Sequence, residues 1–176
     1  RDRDVTGVQT CALPIFEGVL SVVPGYCGGS HGNPSYREVC RGDTGHAEVV
    51  QIVFDPRRVD FTTLLEVFFA THDPTTPNRQ GHDVGSQYRS VIFYHSVEQK
   101  AAAEKAIAAF NAENPQGASA VTEVLPEQPF YPAEDYHHRY FRQNPEQAYC
   151  QAVISPKLSK LRKHFRRLIR TSEDSR

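Results

Sequence analysis

The stretch Ala47–Phe54 (Ala-Glu-Val-Val-Gln-Ile-Val-Phe) limits what this chain can fold into more than any other. It is apolar and β-branched almost throughout, the composition of a strand covered on both faces. A strand needs partners, and the rest of the sequence offers them in alternation with helices. Val19–Val23 reads as a strand ended by a Pro24-Gly25 turn, and Tyr88–Tyr94 and Ala120–Leu125 read as two more. A short helix fits Ser35–Cys40. Asp60 caps a second helix, whose apolar positions are Phe61, Leu64, Leu65, Phe68 and Phe69 and which Pro74 stops. Ser96 and Gln99 form a capping box for a third, from Val97 to about Phe110. Pro156–Ile169 places Leu158, Leu161, Phe165 and Leu168 at helical spacing. Strands separated by helices predict a mixed sheet with helices packed on it.

At 176 residues, 39% of them hydrophobic, the chain suits one domain and can bury a core without disulfide staples. No apolar run reaches the length of a membrane span. The net charge of −1 gives no general pull toward nucleic acid or lipid. The last helix is locally basic, with seven Lys and Arg and no acid from Lys157 to Arg170. That pattern fits the solvated face of a docked amphipathic helix better than a nucleic-acid or membrane contact. The four cysteines, Cys11, Cys27, Cys40 and Cys150, are too sparse for a disulfide scaffold, and no signal peptide is visible. The expectation is a reducing, cytoplasmic setting in which cysteines are catalytic, metal-binding or inert. Cys27, His31, Cys40 and His46 mix zinc-ligand types, but their spacing fits the common pairs poorly.

Three polar loops, Gly25–Gly45, Asp73–Gln87 and Pro129–Tyr149, hold the unusual side chains. Long loops in compact domains are usually functional. Glu48 opens an otherwise apolar strand, where desolvation would raise its pKa and keep it protonated. A neutral carboxylic acid can give a proton to a developing oxyanion, and tyrosine hydroxyls can hydrogen-bond the same oxygen without charge. The plainer alternative is a surface Glu at a strand start, with tyrosines packed as core.

The runs Gly25-Tyr26-Cys27-Gly28-Gly29, Asn33–Cys40, Gly42–Glu48, His72-Asp73-Pro74, Asn78–Ser90 and Phe130–His137 together resemble the peptide methionine sulfoxide reductase A family, in order, from about Phe16 to Phe165. The resemblance implies an α+β fold: a two-layer sandwich, a mixed sheet with helices packed on it and long functional loops. It implies reduction of the S epimer of methionine sulfoxide, free or in oxidised proteins, to methionine. A cysteine thiolate attacks the sulfur. Glu48 stands at the position of the acid, Tyr36 and Tyr88 at those of the hydroxyls that hold the oxygen, and Asp83 at a supporting position. Cys150 matches the resolving cysteine. Tyr26, His46, Asp135 and His137 stand as candidate substrate-binding residues; the last three either position the acid or its water or serve packing. The family needs no bound cofactor or metal and takes its electrons from thioredoxin. A monomer without nucleic-acid or membrane partners is expected.

One part of the pattern is missing. The family carries its nucleophile in a Gly-Cys-Phe-Trp segment, and this chain has neither that segment nor any Trp. Counting back from Gly18-Val19, the nucleophile would fall at about Val5, and Cys11 lies about six residues too late, followed by Pro14. Residues 1–15 look like a translated sequencing adapter, and the chain contains no Met. The expected division is therefore a non-native segment at 1–15, the reductase domain at 16–170 and a polar tail at 171–176. The literal chain is expected to be poorly active for lack of the nucleophilic Cys. The alternative is a pseudoenzyme, a non-catalytic binder of methionine sulfoxide peptides. Cys40 reads as buried rather than reactive, and Cys27 has no assigned role.

Overall fold

The computed structural model of the chain describes residues 13, 16–114, 117–134, 155–166 and 169. Residues 1–12, the 135–154 segment that holds Asp135, His137 and Cys150, and the 171–176 tail lie outside it.

The apolar run forms strand β2 (Ala47–Phe54), antiparallel to β1 (Val19–Cys27). Its even-numbered residues Val50, Ile52 and Phe54 pack into the main core, while Gln51 and Val53 are exposed. The run is therefore covered on one face in its second half, not on both. Strand β1 also runs on through Pro24-Gly25 to Cys27, past the expected turn. The reason is local. The Pro24 carbonyl accepts from the Ala133 N–H at 2.9 Å, so the amide position that proline lacks points toward the short strand β7 (Tyr131–Pro132) and not into the β1–β2 ladder. Gly25 is required there, because a Cβ would come within 2.4 Å of the Phe130 ring and of the Tyr131 carbonyl.

The sheet order β2-β1-β7 is one unit of three strands. A separate pair, β5 (Val91–Tyr94) and β6 (Glu123–Pro126), runs parallel. The helix between them, which crosses from one strand to the other as parallel pairing requires, covers Val97–Glu113. A hairpin of β3 (Arg79–Gln80) and β4 (Asp83–Val84) precedes β5. Helices are α1 (Tyr36–Cys40), α2 (Phe61–Thr71), α3 (Val97–Glu113) and α4 (Ser155–His164). Two caps fall where the sequence puts them, Asp60 accepting from Thr63 N–H and Ser96 accepting from Gln99 N–H, and the structure adds a third, Ser35 with Glu38. Gln99 completes its cap on the His95 N–H.

Two cores fix the layers. Leu13, Phe16, Val19, Val59, Leu64, Val67, Leu161 and Phe165 join β1, α2 and α4, with Phe16 edge-on to Phe165. Leu65, Ile92 and Ala103 join α2, α3 and β5. Helices packed on sheets in this way make the α+β class expected. Leu13, within the stretch 1–15, is buried. No helix of the described residues is long and apolar enough to cross a membrane.

Candidate active site

The site is assembled from the ends of β1 and β2 and the loops that follow them. Tyr26 and Glu48 are direct partners across the β1–β2 ladder, so their side chains leave the same face of the sheet. Tyr26 is buried, and its hydroxyl donates to Glu134 Oε2 at 3.0 Å. The other oxygen of Glu134 accepts the Tyr36 N–H at 2.8 Å, in the first turn of α1. One carboxylate thus ties β1, α1 and the end of β7 together. Tyr36 packs on Tyr26, Val39 and Ala133. A capping box holds α1 in place: Ser35 N–H and Oγ–H both donate to Glu38 Oε2, at 2.8 and 2.7 Å. These bonds hold the Glu38 carboxyl below the usual carboxylate range.

The start of β2 is pinned by His46, which is almost fully buried. Its Nδ1 accepts the Gly29 N–H at 3.1 Å, so the ring hydrogen sits on Nε2 and is donated to the His31 carbonyl at 2.7 Å. A Cβ on Gly29 would lie about 2.5 Å from the ring, so only glycine lets the loop close over it. Both ring nitrogens are committed to backbone. His46 therefore locks residues 29–31 against the strand that presents Glu48. Among the described residues, no group of three or more His, Cys, Asp or Glu side chains is arranged to hold a metal ion.

Glu48 Oε1 is shut away from solvent. Tyr88 lies in a single 3-10 turn, Ser86–Tyr88, ahead of β5 rather than in the strand itself. Burial pushes its hydroxyl well above the usual phenol range, and the charges at Glu48, Cys40 and Asp83 push it further. Glu48 and Tyr88 line the same cavity. Asp83 is half-buried on β4, across from Gln80. Arg89 fixes the turn from the other side, donating to the Ser86 carbonyl at 2.9 Å and the Gly45 carbonyl at 3.1 Å.

Of the sequence-derived candidates, Glu48 and Tyr88 line one cavity and Tyr26 and Tyr36 pack together, with the Tyr26–Glu48 pair joining the two, while Asp83 sits on the β3–β4 hairpin. Cys40 is exposed at the end of α1, contrary to the buried position expected, because the helix turns Val39 inward instead. Cys27 is buried, its thiol donating to the Gln128 carbonyl at 3.6 Å, and burial raises its pKa. Asp135, His137, Cys150 and Cys11 lie outside the described residues. The residue missed was Glu134. The available signal was a carboxylate directly after the apolar run Phe130-Tyr131-Pro132-Ala133.

The fold and site define an α+β protein in which a carboxyl group at the start of β2 lies across the ladder from one tyrosine and lines a cavity with another. The sequence model described as peptide methionine sulfoxide reductase matches residues 8–169. A relative from Chromobacterium violaceum, Peptide methionine sulfoxide reductase MsrA, is 55% identical over 158 residues, 90% of each chain. A protein of the same name from Sulfolobus acidocaldarius is 54% identical over 90% of this chain and 91% of its own. Mxr1 from Saccharomyces cerevisiae in reduced form superposes with a TM-score of 0.70 at 34% identity, over 76% of each chain. Methionine sulfoxide reductase A of Corynebacterium diphtheriae also gives 0.70, at 36% identity over 74% of this chain and 66% of its own. The chain belongs to the peptide methionine sulfoxide reductase A family.

Proposed function

We propose that this site binds the S epimer of methionine sulfoxide, free or in oxidised proteins, and protonates its oxygen from Glu48. Tyr36 and Tyr88 hold that oxygen and Asp83 supports the cluster. The observation that carries the reading is that Glu48 and the half-buried Tyr88 line one largely apolar cavity, with Glu48 Oε1 shut away from solvent. A hydroxyl so placed stays protonated and can donate to a polar oxygen without bringing charge into the site.

In the full reaction a cysteine thiolate bonds to the sulfoxide sulfur. The oxygen passes to the cysteine as a sulfenic acid, with one proton taken up, and methionine leaves. A second cysteine, at the Cys150 position, then forms a disulfide and releases water. Two electrons and two protons from thioredoxin restore the thiols. The sequence has no Cys at the family's nucleophile position, and among the described residues Cys27 is a buried thiol with a raised pKa. Turnover by this exact chain is therefore low, while sulfoxide recognition is kept. That absence also favours a second reading, a binder of methionine sulfoxide peptides without catalysis.

Isothermal titration with the two epimers of N-acetyl-methionine sulfoxide methylamide tests recognition. The S epimer should bind more tightly. Tyr88→Phe should weaken it roughly three- to tenfold, the worth of one hydrogen bond to a polar oxygen. Equal binding of both epimers, unchanged in Tyr88→Phe, would remove the reading.

A further inference from the structure

A chain of polar side chains that the sulfoxide reading does not use stands where α2 ends and β5 and β6 begin. His72 caps the end of α2, Ser90 immediately precedes β5 and Thr122 immediately precedes β6. The His72 Nε2 lies 2.8 Å from Ser90 Oγ, which lies 2.8 Å from Thr122 Oγ1. The other ring nitrogen, Nδ1, lies 2.6 Å from the Phe68 carbonyl. A carbonyl only accepts, so Nδ1 carries the ring hydrogen. In the neutral imidazole Nε2 is then an acceptor, and Ser90 donates its hydroxyl hydrogen to it. Thr122 in turn donates to Ser90 Oγ.

That direction has a chemical meaning. A serine proton aimed at an imidazole, with the imidazole oriented by a third group, is the arrangement of an activated nucleophile. Phe68 and Phe69 flank the ring, with centroids 4.0 and 6.0 Å away, and fix its plane. Backbone bonds already tie the three segments together. The Glu123 N–H donates to the Ser90 carbonyl at 3.0 Å, and the Val121 N–H to the Pro74 carbonyl at 2.8 Å. The side-chain bonds are therefore not needed as a clamp. Ser90 is 5% exposed, yet it and His72 both line the cavity of about 220 Å³ that Glu48 and Tyr88 line. Leu64, Leu65 and Phe68 of α2, with Val91 and Phe93 of β5, give that cavity largely apolar walls.

We propose that Ser90 and His72 are a nucleophile–base pair that accepts the acyl group of a small, neutral, apolar ester. Ser90 Oγ bonds to the acyl carbon as its proton passes to His72 Nε2. The ester C–O bond breaks, and His72 gives that proton to the leaving alcohol. Water then bonds to the acyl carbon and gives a proton to His72. The Ser90–acyl bond breaks, the carboxylic acid leaves, and the proton returns from His72 to Ser90 Oγ. Nothing is oxidised or reduced, and water is the one co-reactant. The walls set the substrate class, since apolar side chains accept an aliphatic acyl chain and leave a carboxylate without partners. This does not rest on the sulfoxide reading, because Glu48, Tyr36 and Tyr88 take no part in it.

Two measurements on the 176-residue chain test it. The first is labelling with an alkyl fluorophosphonate, which bonds to activated serines and releases fluoride, read by peptide mass spectrometry. Ser90 should be the residue labelled. The second is hydrolysis of p-nitrophenyl butyrate, which should exceed the rate in buffer, while the mono-p-nitrophenyl ester of succinic acid should not. Ser90→Ala should abolish labelling and hydrolysis. His72→Gln should slow both by about a hundredfold or more, the worth of a positioned base. Absence of label on Ser90 in the unaltered chain would overturn the proposal, whether or not the variants fold. So would unchanged hydrolysis in a Ser90→Ala chain whose circular dichroism matches the parent. Labelling of Ser90 at the parent rate in His72→Gln would overturn it too, since His72 would then be packing alone.

Discussion

Tyr88 and Glu134 carry most of what the site's geometry commits to at the residue scale. Burial and the nearby Glu48, Cys40 and Asp83 charges hold the Tyr88 proton above the usual phenol range. The folded chain therefore keeps that proton at pH values where the unfolded chain has released it. The contribution is neutral below the unfolded pKa of about 10 and turns against the fold as pH rises beyond it. Ultraviolet titration of tyrosinate should show a late step that appears only with unfolding, and Tyr88→Phe should shrink that step by one tyrosine. Early, complete ionisation of all tyrosines would mean Tyr88 is solvated. Glu134 accepts from both the Tyr26 hydroxyl and the Tyr36 amide. Glu134→Ala leaves a buried hydroxyl without its acceptor and should cost about 1–3 kcal/mol in urea unfolding. A loss below about 0.5 kcal/mol would show that the bridge is replaced by water.

The elements divide by how local their causes are. Two helix starts were legible because a cap is a contact between residues three apart: Asp60 with Thr63 and Ser96 with Gln99. Asp60 makes this quantitative. Its carboxylate accepts the Thr63 N–H at 2.7 Å, which lowers its pKa. The stabilisation is present above the ordinary carboxylate pKa and is lost as pH falls through the lowered folded value. Asp60→Ala should therefore cost about 1 kcal/mol at pH 7 and markedly less near pH 2. A cost independent of pH would assign it to packing. What was illegible depends on distant partners. Pro24 reads as a strand end, yet its missing amide falls outside the β1–β2 ladder because of Ala133, far along the chain. Tyr88 reads as strand and sits in a turn that Arg89 ties to Gly45. The division into three sheets is likewise a matter of register between segments, which alternation alone does not set.

Across the whole molecule, the scaffold of a peptide methionine sulfoxide reductase is present: the packed helices, the Glu48 and tyrosine cluster, and relatives above 50% identity over most of their length. The class of fold and the residues Glu48, Tyr36, Tyr88 and Asp83 came from runs whose order and spacing are hard to imitate. Glu134 was missed because its role arises only when β7 meets α1. The central claim is that this chain recognises the sulfoxide but lacks the thiol to reduce it. A thioredoxin-coupled assay on dabsylated methionine S-sulfoxide addresses that claim most directly, with the chain of 176 residues beside an active relative. The account predicts NADPH oxidation at the no-enzyme rate, with S-sulfoxide binding intact. Turnover comparable to the relative's, abolished by Cys11→Ser, would contradict it and make Cys11 the nucleophile.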